Sequence, residues 1–267
     1  LNVPVIHDQV LNDFENPVFQ IEFFDEKREI AVRMNHYYIG GGQFWEVFSN
    51  MHPTGRAEGP KLPDSNFLMG ALFLPQLTLD CLQYAPVPQR PVQLENKVYA
   101  ATYEATIPKN KRFVSIHAVV QEIFFALDLK QPLHLAMTTA MNGIPHVQNN
   151  VGALFLDIDQ RDTPDQIQKK CEERKYMAYA SNTANLVNVG IAANVDMRKQ
   201  VHCVLTMLYS KSPVDLFDIH LLPSSPVEEN VYCFMKSFID GDKVKINVTY
   251  MTRLLDFRPT SAMRRVQ

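Results

Sequence analysis

Met34-Asn35-His36-Tyr37-Tyr38-Ile39-Gly40-Gly41 is the stretch on which the reading of this chain turns. A histidine follows directly on an alternating segment, and a glycine run, Gly40-Gly41-Gly42, comes soon after it. Upstream, Ile30, Val32 and Met34 alternate with Ala31 and Arg33, which is the period of a strand. His36 has the parity of those apolar residues, so it is expected to leave the strand on its buried face. One segment earlier, Phe19, Ile21 and Phe23 alternate with Gln20 and Glu22, and Asp25-Glu26-Lys27-Arg28 reads as a turn. The two runs therefore predict an antiparallel hairpin. Downstream, the glycines allow a sharp change of direction. Phe44, Val47 and Phe48 then share one face of a helix expected from about Gln43 to Asn50.

Beyond this unit the chain alternates strands and helices. Residues 51 to 95 contain Pro53, Pro60, Pro63, Pro75, Pro86, Pro88 and Pro91, and read as a long connection with little regular structure. A strand is expected over Lys97 to Thr106. A helix follows over Phe113 to Leu127, where Ile116, Val120, Ile123 and Phe124 recur at helical spacing. Leu133 to Thr139 and Val151 to Ile158 read as strands. Thr163-Pro164-Asp165-Gln166 matches a capping box with proline at the first helical position, predicting a helix to about Ala184. Val201 to Tyr209 is a further strand. Val231 to Ile239 and Lys243 to Tyr250 flank Asp240-Gly241-Asp242, a hairpin signal. Together these elements predict an α/β (α+β) protein with mixed sheets packed by helices.

Composition narrows the function classes. The chain has 267 residues, 46% apolar and 21% charged, enough to bury a substantial core. Its net charge is −3 and no Lys/Arg run exceeds two residues, so no basic stripe for nucleic acid is present. No apolar run approaches the length of a membrane span. Cys81, Cys171, Cys203 and Cys233 are too scattered for a metal-ligand set and read as free buried thiols of a cytoplasmic or other reducing compartment. The triple glycine lacks the spacing of a P-loop or dinucleotide fingerprint.

The central octapeptide resembles the His-His-x-x-x-Asp-Gly motif of the chloramphenicol acetyltransferase superfamily. That superfamily includes peptide-synthetase condensation domains, the wax ester synthase and diacylglycerol acyltransferase family, and plant and alcohol acyltransferases. Asn35 stands in place of the first His, His36 in place of the catalytic one, and Gly41 as the motif glycine. The order of elements over residues 17 to 255 fits as well, including Asn149-Asn150-Val151-Gly152 entering a strand. The resemblance implies two lobes: an N-terminal portion over 1–55, a crossover over 56–95 and a C-terminal lobe over 96–267. Thirty-five residues precede His36, so the first lobe is expected to be short or its start to lie before Leu1.

The resemblance also implies a chemistry. An acyl group would move from a CoA or carrier-protein thioester, used as a substrate with no permanently bound cofactor, to a small hydroxyl or amine acceptor. His36 would be the general base, a role for which imidazole suits near-neutral pH. Thr138, Thr139 and Asn142 are candidates to hold the tetrahedral oxygen. Tyr38 is a candidate to line the donor channel, although aromatic residues after a strand more often pack. The sequence departs from the motif at Gly40, where Asp is expected, and no Arg occurs between Arg112 and Arg161 to pair with that Asp. Losing both partners of a buried ion pair is close to neutral for the fold. It also opens the alternative of an inactive acyltransferase-fold scaffold or subunit of a larger assembly. An unrelated α/β binding protein is the third reading. Among the other histidines, His117 and His134 read as core or rim residues. His202 has no acidic or cysteine partner at useful spacing.

Overall fold

A computed structural model describes residues 19–26, 29–34, 64–83, 87–106, 111–141, 151–186, 201–210, 230–240 and 243–265. The predicted hairpin is present: β1 (Phe19–Phe24) pairs antiparallel with β2 (Glu29–Met34), with Ile21 opposite Val32 and Phe23 opposite Ile30. Its apolar face is not buried as expected at Ile21 and Phe23, which are 39% and 72% exposed. The reason lies in the topology. The hairpin is a two-stranded sheet of its own and does not continue the main sheet.

Among the described residues the main sheet has seven strands, in the order β5-β4-β6-β7-β8-β3-β9. They are β3 (Val92–Thr106), β4 (Leu133–Ala140), β5 (Val151–Ile158), β6 (Cys203–Ser210), β7 (Val231–Asp240), β8 (Lys243–Leu254) and β9 (Arg264–Arg265). The sheet is mixed. β4, β6 and β7 run parallel, and the other pairings are antiparallel. Asp240 pairs with Lys243, as the Asp240-Gly241-Asp242 signal predicts. β3 begins earlier than expected, and its register on β8 shifts between Val92 and Lys97, a local bulge that alternation alone does not reveal.

Four helices occur among the described residues: α1 (Phe67–Gln83), α2 (Lys111–Leu127), α3 (Pro164–Glu173) and α4 (Lys175–Leu186). α1 corrects the reading of residues 51 to 95 as having little regular structure. Proline inside a helix costs about 3 kcal/mol, yet Pro75 sits on the exposed side of α1. The opposite side, Gly70, Leu77 and Cys81, is buried and offsets that penalty by packing. α2 ends at Leu127 because Asp128 adopts a left-handed conformation (φ 48°), and the Asp128 and Leu129 amides donate back to Phe125 O and Phe124 O. The capping box is present: the Thr163 hydroxyl accepts from the Gln166 amide, and the Gln166 side chain accepts from the Thr163 amide. The single helix expected to Ala184 is instead two, interrupted at Arg174 (φ −101°, ψ 11°).

One contiguous core joins helices and sheet. Ile116, Val120 and Ile123 of α2 are fully buried, as are Leu133, Leu135, Leu205, Val244, Ile246 and Tyr250 of the strands. α4 lies so close to β5 that a Cβ on Gly152 would meet the Ala178 carbonyl oxygen at 2.2 Å, which is why glycine occupies that position. No described helix is long and apolar enough to cross a membrane.

Candidate active site

β2 ends at Met34, two residues before His36. Asn35, His36, Tyr38, Gly41 and Asn142 all lie outside the described residues. Thr138 and Thr139 lie within them, close to the C-terminal end of β4. Because β4, β6 and β7 are parallel, Thr138 lies level with Thr206 and Phe234 in adjacent strands. β5 enters at that end of β4, starting at Val151.

The two threonines do not share a face. Successive strand residues point to opposite sides of a sheet. Thr138 registers with Thr206, and its hydroxyl lies 3.1 Å from the Thr206 hydroxyl and 3.4 Å from Leu205 O, so it cross-links β4 to β6. Thr139 registers with Gly152, and directly opposed residues of an antiparallel pair share a face. That face carries α4, since Gly152 abuts Ala178. The Thr139 hydroxyl is buried with no hydrogen-bond partner. Burying an unpaired hydroxyl costs on the order of 1–3 kcal/mol, which makes Thr139 the chemically open member of the pair.

Three residues that the sequence reading passed over close the same end. The Ser181 hydroxyl accepts from the Ala153 amide at 2.7 Å and lies 2.7 Å from Met177 O. Asn182 donates to Val151 O at 3.4 Å and accepts from the Ser65 hydroxyl at 3.1 Å. Thr183 is 1% exposed, and its hydroxyl is unpartnered, like that of Thr139. The signal was available. Ser181-Asn182-Thr183 is a run of indifferent helix formers inside a predicted helix.

A second polar cluster occupies the other end of β4. His134 Nδ1 lies 2.5 Å from Asp157 Oδ1 on β5. The His134 ring stacks on His202 with centroids 5.2 Å apart and planes 3° from parallel. The His134 amide donates to His202 Nδ1 at 3.0 Å, and His202 Nε2 lies 3.2 Å from Gln131 Nε2. Burial, then the neighbouring His134 and Arg90, lower the His202 pKa from 6.5 to about 4. The partner of His202 is a histidine, brought from 68 residues away by the parallel β4–β6 pairing. An open cavity of about 310 Å³ lined by Leu129, Gln131, Pro132 and Arg161 lies at this end, away from Thr138 and Thr139. Cys203 and Cys233 are buried as expected, with sulfurs 3.6 Å apart. Among the described residues no group of three His, Cys, Asp or Glu is placed to hold a metal ion.

Comparison with known proteins gives the fold. No protein-family model matches the chain, and no curated protein does. Among solved structures, the EpoB NRPS cyclization-docking bidomain from Sorangium cellulosum matches with a TM-score of 0.53 and 12% identity. The match covers 94% of this chain and 60% of that one. The wax ester synthase/diacylglycerol acyltransferase from Marinobacter aquaeolei VT8 matches with a TM-score of 0.45 and 11% identity, over 91% of this chain and 67% of that one. The starter condensation domain of rhizomide synthetase RzmA, crystallised as a mutant with C8-CoA and Leu-SNAC, matches with a TM-score of 0.44 and 12% identity, over 78% and 55%. The chain thus spans 55–67% of the length of these structures. Its fold, among the described residues a seven-stranded mixed α/β sheet packed by helices, is similar to that of the cyclization-docking bidomain.

Proposed function

We propose that the chain is an acyltransferase that moves an acyl group from a CoA or carrier thioester to a hydroxyl or amine acceptor, with His36 as general base. The supporting observation is a hairpin strand that ends two residues before His36, in a chain whose fold is similar to that of the cyclization-docking bidomain. In this reading the neutral imidazole removes the acceptor O–H or N–H proton as that atom bonds to the thioester carbonyl carbon. The carbonyl oxygen becomes an oxyanion, for which Thr139 has a free hydroxyl proton. Collapse restores the carbonyl and breaks the C–S bond, and the imidazolium returns its proton to the leaving thiolate. Thr138, already bonded to Thr206, keeps the strand ends together. Asn35, Gly41, Tyr38 and Asn142 are proposed to shape the loop and channel around the imidazole.

A second reading is favoured by one specific feature. Gly40 replaces the Asp that would brace the histidine loop, and its Arg partner is missing too. On that reading the protein is a non-catalytic scaffold or assembly subunit. Incubation with a panel of acyl-CoA thioesters plus alcohol and amine acceptors, followed by mass spectrometry of the acylated product, separates the two. The enzyme reading expects a product that disappears in His36→Ala. Absence of product with every donor, or equal product from both proteins, favours the scaffold.

A further inference from the structure

We infer that Ser181, Asn182 and Lys170 guard the β5 edge of the main sheet against strand addition, a device independent of the catalytic reading above. Among the described residues β5 is an outer strand of the sheet, with β4 on its inner side. Such an edge is a template on which a further strand can form. The sequence makes this one hazardous. Val151-Gly152-Ala153-Leu154-Phe155-Leu156-Asp157-Ile158 has one charged residue and no proline. Segments of that kind pair with copies of themselves once their edge is open.

In an antiparallel ladder, successive residues send their N–H and C=O groups alternately to the two sides of the strand. On β5 the odd-numbered residues face outward, and side chains from the two helices that follow the strand reach them. The Ser181 hydroxyl accepts from the Ala153 amide at 2.7 Å, and its oxygen lies 3.2 Å from Ala153 O. Asn182 donates to Val151 O at 3.4 Å, and Lys170 donates to Asp157 O at 2.8 Å. The outward rungs at Val151, Ala153 and Asp157 are thereby engaged from α3 and α4. The rung between them, at Phe155, is a single residue, too short to hold a strand. The guards are themselves held in place. Ser181 Oγ lies 2.7 Å from Met177 O in its own helix, and Asn182 accepts from the Ser65 hydroxyl at 3.1 Å. Lys170 Nζ lies 2.6 Å from Asp162 Oδ2, and that same oxygen accepts from the Asp159 amide at 2.8 Å. The lysine adds a second deterrent, because an incoming strand would have to strip water from its charge. Ser181 and Asn182, indifferent residues for a helix interior, gain a reason to stand in α4.

The test compares the full chain with Ser181→Ala/Lys170→Met, which releases Ala153 and Asp157 and leaves the outward rungs from Ala153 to Asp157 open. Val248→Ala is the control for lost stability, since it hollows the buried core at β8, away from β5. Mass in solution is followed by sedimentation over days at micromolar concentration, below the melting temperature of every variant. The double variant is expected to lose most of its starting species to larger ones, while wild type and the control hold theirs. Adding Ala153→Pro should abolish that loss, because this amide points outward, where proline is tolerated and removes the donor. Peptide-resolved hydrogen exchange gives a second readout: β5 should be more protected in the larger species than in the starting one. An unchanged mass for the double variant overturns the proposal, as does equal association of Val248→Ala. So does association that persists with Ala153→Pro, or a larger species in which β5 gains no protection.

Discussion

Thr139 is the described residue with the most specific consequence. Its hydroxyl is buried and unpartnered, so removing it should cost the fold nothing. Thr139→Val is expected to keep or slightly raise the denaturation midpoint while lowering acyl transfer by about 10²–10³-fold, the usual effect of deleting one oxyanion donor. Thr138→Val should behave in the opposite sense, because it breaks the bond to Thr206. Measuring kcat and stability on both variants separates a donor from a strut. His202 makes a prediction about pH. Its folded pKa of about 4 lies below the ordinary 6.5. Between those values the unfolded chain takes up a proton that the folded one refuses, so stability falls as pH drops through this window and levels off below it. The effect is on the order of 3 kcal/mol. Urea titrations at pH 7 and pH 4.5 should show a larger loss for wild type than for His202→Gln; equal losses would contradict the assignment. None of this was readable at the residue scale. Thr138 and Thr139 are adjacent in sequence and fall on opposite faces, and His202 meets its partners through a parallel crossover.

Among the elements, legibility followed the strength of local signals. The capping box at Thr163 and the strand Val151–Ile158 were readable because side-chain chemistry at a few neighbouring positions determines them. The interruption at Arg174 has no comparable local marker. α1 was hidden by Pro75 and the prolines on either side of the helix, since local propensity counts against a helix there while packing against α4 decides for one. The expected burial of the first hairpin failed at Phe23 for a related reason. Alternation reports that a face is apolar and leaves open what, if anything, covers it. Close packing of α4 on β5 carries a direct prediction. Gly152→Ala places a methyl group 2.2 Å from Ala178 O, where backbone must move. The expected loss is about 1–3 kcal/mol or more, read as a lowered denaturant midpoint. An unchanged midpoint would mean that β5 and α4 are not in contact.

At the scale of the whole molecule, the order of elements was legible and its wiring was not. Strand and helix positions follow from periodicity, but the sheet order β5-β4-β6-β7-β8-β3-β9 depends on long-range pairing. The fold match to the cyclization-docking bidomain covers 94% of this chain at 12% identity, while the stretch Asn35 to Gly41 lies outside the described residues. The proposed acyl transfer rests on the histidine after β2 working on a thioester. The most direct test is time-resolved release of free thiol from an acyl-CoA substrate, with an acceptor present, by wild type and His36→Ala side by side. The account predicts release by wild type and a loss of at least about 10²-fold in the variant. Identical traces from the two proteins would contradict it.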